Sequence, residues 1–448
     1  MGSDFNAGAG RTVSLAPGTS VGVSGSVHLD PNFTNPVTVS GSVILNPSSK
    51  TEVYFASASV DSFGRQRISQ PLLMFSGVQV GSGLIEHLYD ISASVGAAAT
   101  YDITRSSTLL TVGNTSGNVA IKQSKEYFLY RAGQSHSIHM TFCKAQPHAN
   151  VIKRIGYFDA NDGIFLETSG SDVNFVIRSS VDGVITEDRV SQSAWNTDKF
   201  DGSGISGITL DLTKGQILDI DLQWLGVGEV RCGFIKDGDT GYAHKFAHVN
   251  LGTSVYMRTP TLPIRWELRN SAASAGTPQL EQICGAVARE GALTSEGRPT
   301  SASTSITLAS HTATTTARSL LSMKLRAGFE RTVAKFLSTA LDNFGTAVVK
   351  WILVYNPTLT GTLIWTNKGD RLAQSVTQLV YTANTGHQIA AGFVTSTNQS
   401  KGASLYTVES AFRLASTING TSDVVSLIVQ SASGTQNVGG IITLLELF

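Results

Sequence analysis

The chain has 448 residues, enough for two or three domains with cores of their own. Apolar residues make up 41%, charged residues only 15% against a usual ~25%, and 33 basic residues cancel 33 acidic ones. That balance excludes a basic field for nucleic acid or an anionic membrane, and no apolar run of roughly 18 residues marks a membrane span.

Ser, Thr, Gly and Asn fill the gap left by charge, which suits many turns and polar sheet faces. Cys143, Cys232 and Cys284 are far apart and form no C-x-x-C, so reduced core thiols are expected rather than a zinc or redox site. The start, Met1-Gly2-Ser3-Asp4, has neither a basic nor an apolar stretch, so no signal peptide is expected.

Residues 1–60 read as an extended arm. Val23-Ser24-Gly25-Ser26-Val27-His28-Leu29-Asp30-Pro31 recurs as Val39-Ser40-Gly41-Ser42-Val43-Ile44-Leu45-Asn46-Pro47. In an extended strand Val23, Val27 and Leu29 share one face, as do Val39, Val43 and Leu45. A stripe without a core needs another chain to cover it, so these six residues are the expected oligomer or anchor contacts. Either three chains wind into a shaft, or the arm lies on a neighbouring subunit.

Residues 61–290 read as a central β-sandwich. Glu126–Tyr130 and Ser137–Phe142 are expected as paired strands. From Val151 to Trp266 period-two segments alternate with turn signals. Tyr157-Phe158 leads through Asn161-Asp162-Gly163 to Ile164-Phe165, and Val181-Asp182-Gly183 returns the chain. Leu218, Ile220, Leu222 and Trp224 alternate with Asp219, Asp221 and Gln223. Strands buried on one face require a second sheet.

Residues 291–316, rich in Ser, Thr and Gly, read as a linker. Residues 317–448 read as a second β-sandwich, with strands at Val348–Val354, Leu363–Trp365, Val424–Val429 and Ile441–Leu445. The predicted fold is therefore all-β: an extended N-terminal arm followed by two antiparallel, jelly-roll-like β-sandwiches.

Three motifs carry a resemblance: Phe63-Gly64-Arg65-Gln66-Arg67-Ile68-Ser69, then Arg154-Ile155-Gly156-Tyr157-Phe158-Asp159-Ala160-Asn161-Asp162-Gly163, then Gln223-Trp224-Leu225-Gly226-Val227-Gly228-Glu229-Val230-Arg231. In this order they resemble an uncharacterised family of virion structural proteins from tailed bacteriophages, over about residues 61–290. A weaker likeness runs through Tyr355-Asn356-Pro357-Thr358-Leu359-Thr360-Gly361. The resemblance implies a place in a phage particle assembled in the bacterial cytoplasm, and it transfers no site residue. Asp162 stands where Asn is the commoner form of the motif; a turn accepts both.

No residue set rises to a catalytic, cofactor or metal site. His136 and His139 fall on opposite strand faces, and His244 and His248 lack a third ligand. Asp159, Asn161, Asp162 and Glu167 miss the calcium-loop pattern. Asp219 with Asp221, and Glu187 with Asp188, read as solvated acids rather than a glycan-cleaving pair. Trp195 and Trp266, the latter between Arg265 and Glu267, are the candidate glycan or partner contacts. The resulting expectation is a non-enzymatic virion protein without cofactor, a homotrimer of tail or baseplate fibre type held by its arm among other virion proteins. The alternatives are a capsid decoration or head-fibre protein and a lectin-like host-glycan adhesin.

Overall fold

The structure is a computed structural model that describes Asp61 and residues 71–81, 88–291, 297–305, 311–395, 399–404 and 412–447. The arm residues Val23, Val27, Leu29, Val39, Val43 and Leu45, and the Phe63–Ser69 motif, lie outside the described residues.

The first sandwich opens with β1 (Leu72–Gly77), β2 (Tyr89–Ala93), β3 (Ala97–Asp102), β4 (Ser107–Val112) and β5 (Val119–Ser124). It continues through β6 (His136–Cys143), β7 (Val151–Phe158), β8 (Gly163–Ser169), β9 (Asp172–Ser179) and β10 (Thr186–Ser191). It closes with β11 (Gln216–Leu222), β12 (Val230–Lys236), β13 (Asp239–Phe246), β14 (Ile264–Asn270) and β15 (Gln279–Arg289). Among the described residues one sheet runs β13-β12-β11-β6-β15-β4-β3, with β1 also on β15, and the other β10-β9-β8-β7-β14-β5-β2. All pairings are antiparallel, so each strand can bury one face against the opposite sheet. Leu218, Ile220 and Leu222 do so from one sheet; Ile155, Leu166, Phe175 and Ile264 answer from the other.

The second sandwich begins with β16 (Arg298–Ser303), β17 (Thr312–Ala313), β18 (Arg318–Leu325), β19 (Ala334–Asn343) and β20 (Val349–Tyr355). Then come β21 (Leu359–Thr360), β22 (Thr366–Lys368), β23 (Leu372–Ser375), β24 (Val380–Tyr381) and β25 (His387–Val394). The last are β26 (Gln399–Ser404), β27 (Arg413–Leu414), β28 (Val424–Ser431) and β29 (Gln436–Glu446). One sheet is built around β16-β29-β19-β26 and the other around β24-β18-β28-β20-β25. Leu321, Met323, Trp351, Leu427 and Ile442 meet in its core.

Three expectations change. The stretch 291–316 contains β16 and β17, both paired with β29, because Thr and Ser suit a strand as well as a linker. Glu126–Tyr130 makes no ladder; Phe128 touches Leu262 in a single bridge, and β6 pairs instead with β11 and β15. Leu363–Trp365 is irregular chain, and β21 pairs with β24.

Both sandwiches belong to one compact unit, Phe55–Phe448. Lys125 Nζ lies 2.9 Å from Asp423 Oδ1, a pair buried between them. Glu126 pairs with Arg413, and the Ile418 amide donates to Asp90 Oδ2 at 2.7 Å.

Candidate functional site

Trp195 and Trp266 are not surface platforms. Trp195 is 3% exposed, packs 4.7 Å from Phe175 and donates its indole N–H to the Val190 carbonyl. Trp266 is fully buried between Ile264 and Leu268, since residues two apart share a strand face. The polar neighbours Arg265 and Glu267 point the other way.

That other face of the seven-stranded sheet carries a dense array of paired charges. Arg154 donates to Glu167 at 2.8 Å and to Glu267 at 3.1 Å; Arg178 and Arg189 hold Glu187, and Arg189 also holds Glu167. Burial alone would raise the Glu267 carboxyl, but the guanidiniums of Arg265, Arg154 and Arg178 outweigh it and hold it below the usual range. Phe158, Phe165 and Val176 form a small separate core on this face. Arg154 and Arg178 stand 5.4 and 5.0 Å over the Phe165 ring. A Cβ on Gly156 would meet the Ile164 carbonyl at 2.3 Å, so only glycine lets these strands approach.

These carboxylates are acceptors for arginine, not a free acid pair. Asp219 and Asp221, expected in water, are buried instead. Asp219 meets His139 at 3.0 Å, and Asp221 takes a hydrogen bond from the Tyr242 hydroxyl at 3.3 Å. The Asp159 turn has its carboxylates committed as well. Asp159 Oδ1 accepts the Asn161 and Asp162 amides, while Asp162 accepts from Ser180 and the Arg258 amide. Glu167 faces Arg154 rather than this turn. His136 is in the core and His139 on the opposite face. His244 packs on Phe246, whereas His248 stacks on Tyr256 and donates Nδ1–H to the Gly228 carbonyl. Among the cysteines only Cys232 is buried; Cys143 and Cys284 are half-buried.

The third motif serves the fold too. The Trp224 amide donates to the Tyr130 hydroxyl and its indole N–H to the Met257 carbonyl. Arg231 reaches Asp221 at 3.8 Å and donates to the Asp61 carbonyl at 2.8 Å, which ties Asp61 to the first sandwich.

A cleft of about 480 Å³ opens at one end of the second sandwich, within the size range of small-ligand sites. Three connections wall it. The end of β18 and the loop after it bring Lys324, Leu325, Ala327 and Glu330; the chain from β20 to β22 brings Pro357, Leu359, Gly361, Thr362, Leu363 and Trp365; the chain before β28 brings Gly420, Thr421 and Ser422. Each wall is held by its own bonds. Asn356, at φ 50°, accepts the Val424 amide at 2.8 Å and donates to Asp423 at 2.8 Å. Ser422 Oγ accepts the Leu325 amide at 2.9 Å, and the Thr421 amide donates to Thr417 Oγ1 at 3.0 Å. Glu330 accepts the Gly328 amide at 2.9 Å.

Within these walls Trp365 is half-buried, with Ile364 72% exposed beside it. The Lys324 ammonium stands 4.6 Å from the centre of the Trp365 ring. With the ammonium over one face, the rest of the indole, a carboxylate and hydroxyls in the same cleft can meet the C–H surface and hydroxyls of a sugar. Glu330 is the one carboxylate lining the cleft among the described residues, whereas glycoside cleavage uses two. Sequence reasoning missed Trp365 because Leu363-Ile364-Trp365 looks like a strand. The signal that could have found it is the Tyr355–Gly361 stretch, which supplies the adjoining wall.

No family model matches the chain, and no curated protein matches it. Among solved structures, a protein of unknown function from Shewanella oneidensis aligns over 55% of this chain and all of its own, at 9% identity and a TM-score of 0.33. Peanut lectin aligns over 50% of this chain and all of its own, at 9% identity and a TM-score of 0.28. The binding domain of botulinum neurotoxin serotype D covers 48% of this chain and 47% of its own, at 11% identity and a TM-score of 0.31. Likenesses this slight carry no argument; the fold rests on the strand pairing described above.

Proposed function

We propose that the chain is a non-enzymatic adhesin that binds surface glycans through the Trp365 cleft. The observation that carries this reading is the half-exposed indole in a walled cleft whose polar groups include Lys324, Glu330, Thr362 and Thr421. In the first sandwich Glu167, Glu187, Glu267 and Asp221 are engaged with Arg154, Arg178, Arg189 and Arg231, and Asp219 with His139, so this reading gives these acids no catalytic part. The motif resemblance supports a tailed-phage particle as the carrier, with residues 1–60 as the anchor, a tail or baseplate fibre type as the first position and a capsid decoration as the other. A homotrimer is the proposed state of the arm.

A purely structural virion role is the second reading, favoured by a specific observation: Arg154, Gly156, Asp159 and Asp162 of the second motif, and Arg231 of the third, all hold the fold together. An array of bacterial surface polysaccharides separates the two. The adhesin reading expects saturable binding by the full chain and its loss in Trp365→Ala without loss of folding. Binding to nothing on the array favours the structural reading, and release of reducing ends from a bound polysaccharide would show a depolymerase instead.

A further inference from the structure

We infer that the cleft selects an acidic sugar, with the carboxylate of a uronic-acid-type residue seated on Lys324; this rests on the glycan reading above. Lys324 lies on β18, opposite Ala373 on one side and Val424 on the other, so its backbone is fixed by two ladders. Its side chain is half-buried and its ammonium rests against the Trp365 ring. Every described salt bridge of the second sandwich uses other cations: Arg298 with Asp370, Arg413 with Glu126, Arg331 with Asp159, and Lys125 with Asp423. The π face is thus the one partner of Lys324 among the described residues.

A sugar lying in the cleft removes water from that ammonium. A neutral sugar leaves the charge desolvated against an aromatic ring alone, which is costly. A sugar bearing a carboxylate replaces the lost water with an opposite charge at short range, and charge-assisted hydrogen bonds of this kind are the stronger ones. Glu330 does not cancel this preference. One of its oxygens already accepts the Gly328 amide, and the other is free to take a sugar hydroxyl rather than a carboxylate. Trp365 and Lys324 border the same cleft, so a sugar held there lies within reach of both the indole and the ammonium.

The test uses calorimetry on the full chain with an oligouronate and the same oligosaccharide after carboxyl reduction. Binding of the acidic form is expected at least ~10-fold tighter, about 1.4 kcal/mol, and weaker at high salt. Lys324→Gln should erase the preference, with the acidic form losing most of its advantage; Trp365→Ala should weaken both. Thermal unfolding of each variant checks that the fold is intact. Equal affinity for the two forms, or a preference that survives Lys324→Gln, overturns this inference and leaves the glycan reading standing. Binding of polyglutamate as tight as that of the oligouronate overturns the sugar class. Failure of both oligosaccharides to bind overturns the acidic-sugar inference, and the polysaccharide array then decides the glycan reading separately.

Discussion

Residue by residue, the chain holds its charge by pairing it. Arg154 bridges Glu167 and Glu267 with 7% of its side chain exposed. Arg154→Met should cost about 1.5–3 kcal/mol, because it takes one charged hydrogen-bond donor from each of two buried carboxylates that keep Arg189 and Arg265; urea unfolding measures this, and a loss under 1 kcal/mol would mean the array contributes little. His136 is the reverse case. Burial, with Arg289 nearby, lowers its pKa from 6.5 to about 3, and neither ring nitrogen has a hydrogen-bond partner. Between those values the unfolded chain binds a proton that the native state refuses, so stability falls as pH drops from 6.5 toward 3. The depressed carboxyls of Glu187 and Glu267 act in the same direction, since their stabilisation is lost as they protonate. His136→Leu should flatten part of that slope and add about 1 kcal/mol at neutral pH by removing unpaired polar atoms. A pH series of denaturation midpoints checks both points; an unchanged slope would contradict the assignment.

Among the strands, period two makes most of the first sandwich legible. The spacing of Leu218, Ile220 and Leu222, and of Val173, Phe175 and Ile177, is enough to assign their inward faces. The same rule, applied strictly, also places Trp266 with Ile264 and Leu268 in the core, against the exposed position that its polar neighbours suggest. Composition is the weaker guide. Thr300 and Ala302 look like linker residues, yet β16 covers the edge of β29, opposite Leu444 and Ile442. A fragment starting at residue 317 therefore exposes a long, apolar strand edge and should aggregate, while one starting at 297 should not. Sedimentation of the two fragments decides this, and a monodisperse 317–448 fragment would show that β16 is dispensable. The cleft is not legible in the sequence, because three connections distant along the chain make it. No local pattern tells that Lys324, Trp365 and Thr421 meet.

Across the two sandwiches, the coupling falls where the site is. Asp423 pairs with Lys125 of the first sandwich and also holds Asn356, next to Pro357 in the cleft wall. Lys125→Met should destabilise by about 3–5 kcal/mol, as for other broken buried pairs, and should weaken glycan binding by loosening the 420–424 wall. Binding that is untouched at full destabilisation would separate the interface from the site. The adhesin reading requires the second sandwich to carry the glycan site. Amide hydrogen exchange of the full chain, with and without a polysaccharide selected on the array, reads that out along the backbone. Slowed exchange confined to residues 357–365 and 420–424 is the expected result. Protection centred on the arginine–glutamate array at 154–189, with none at the cleft, would contradict it.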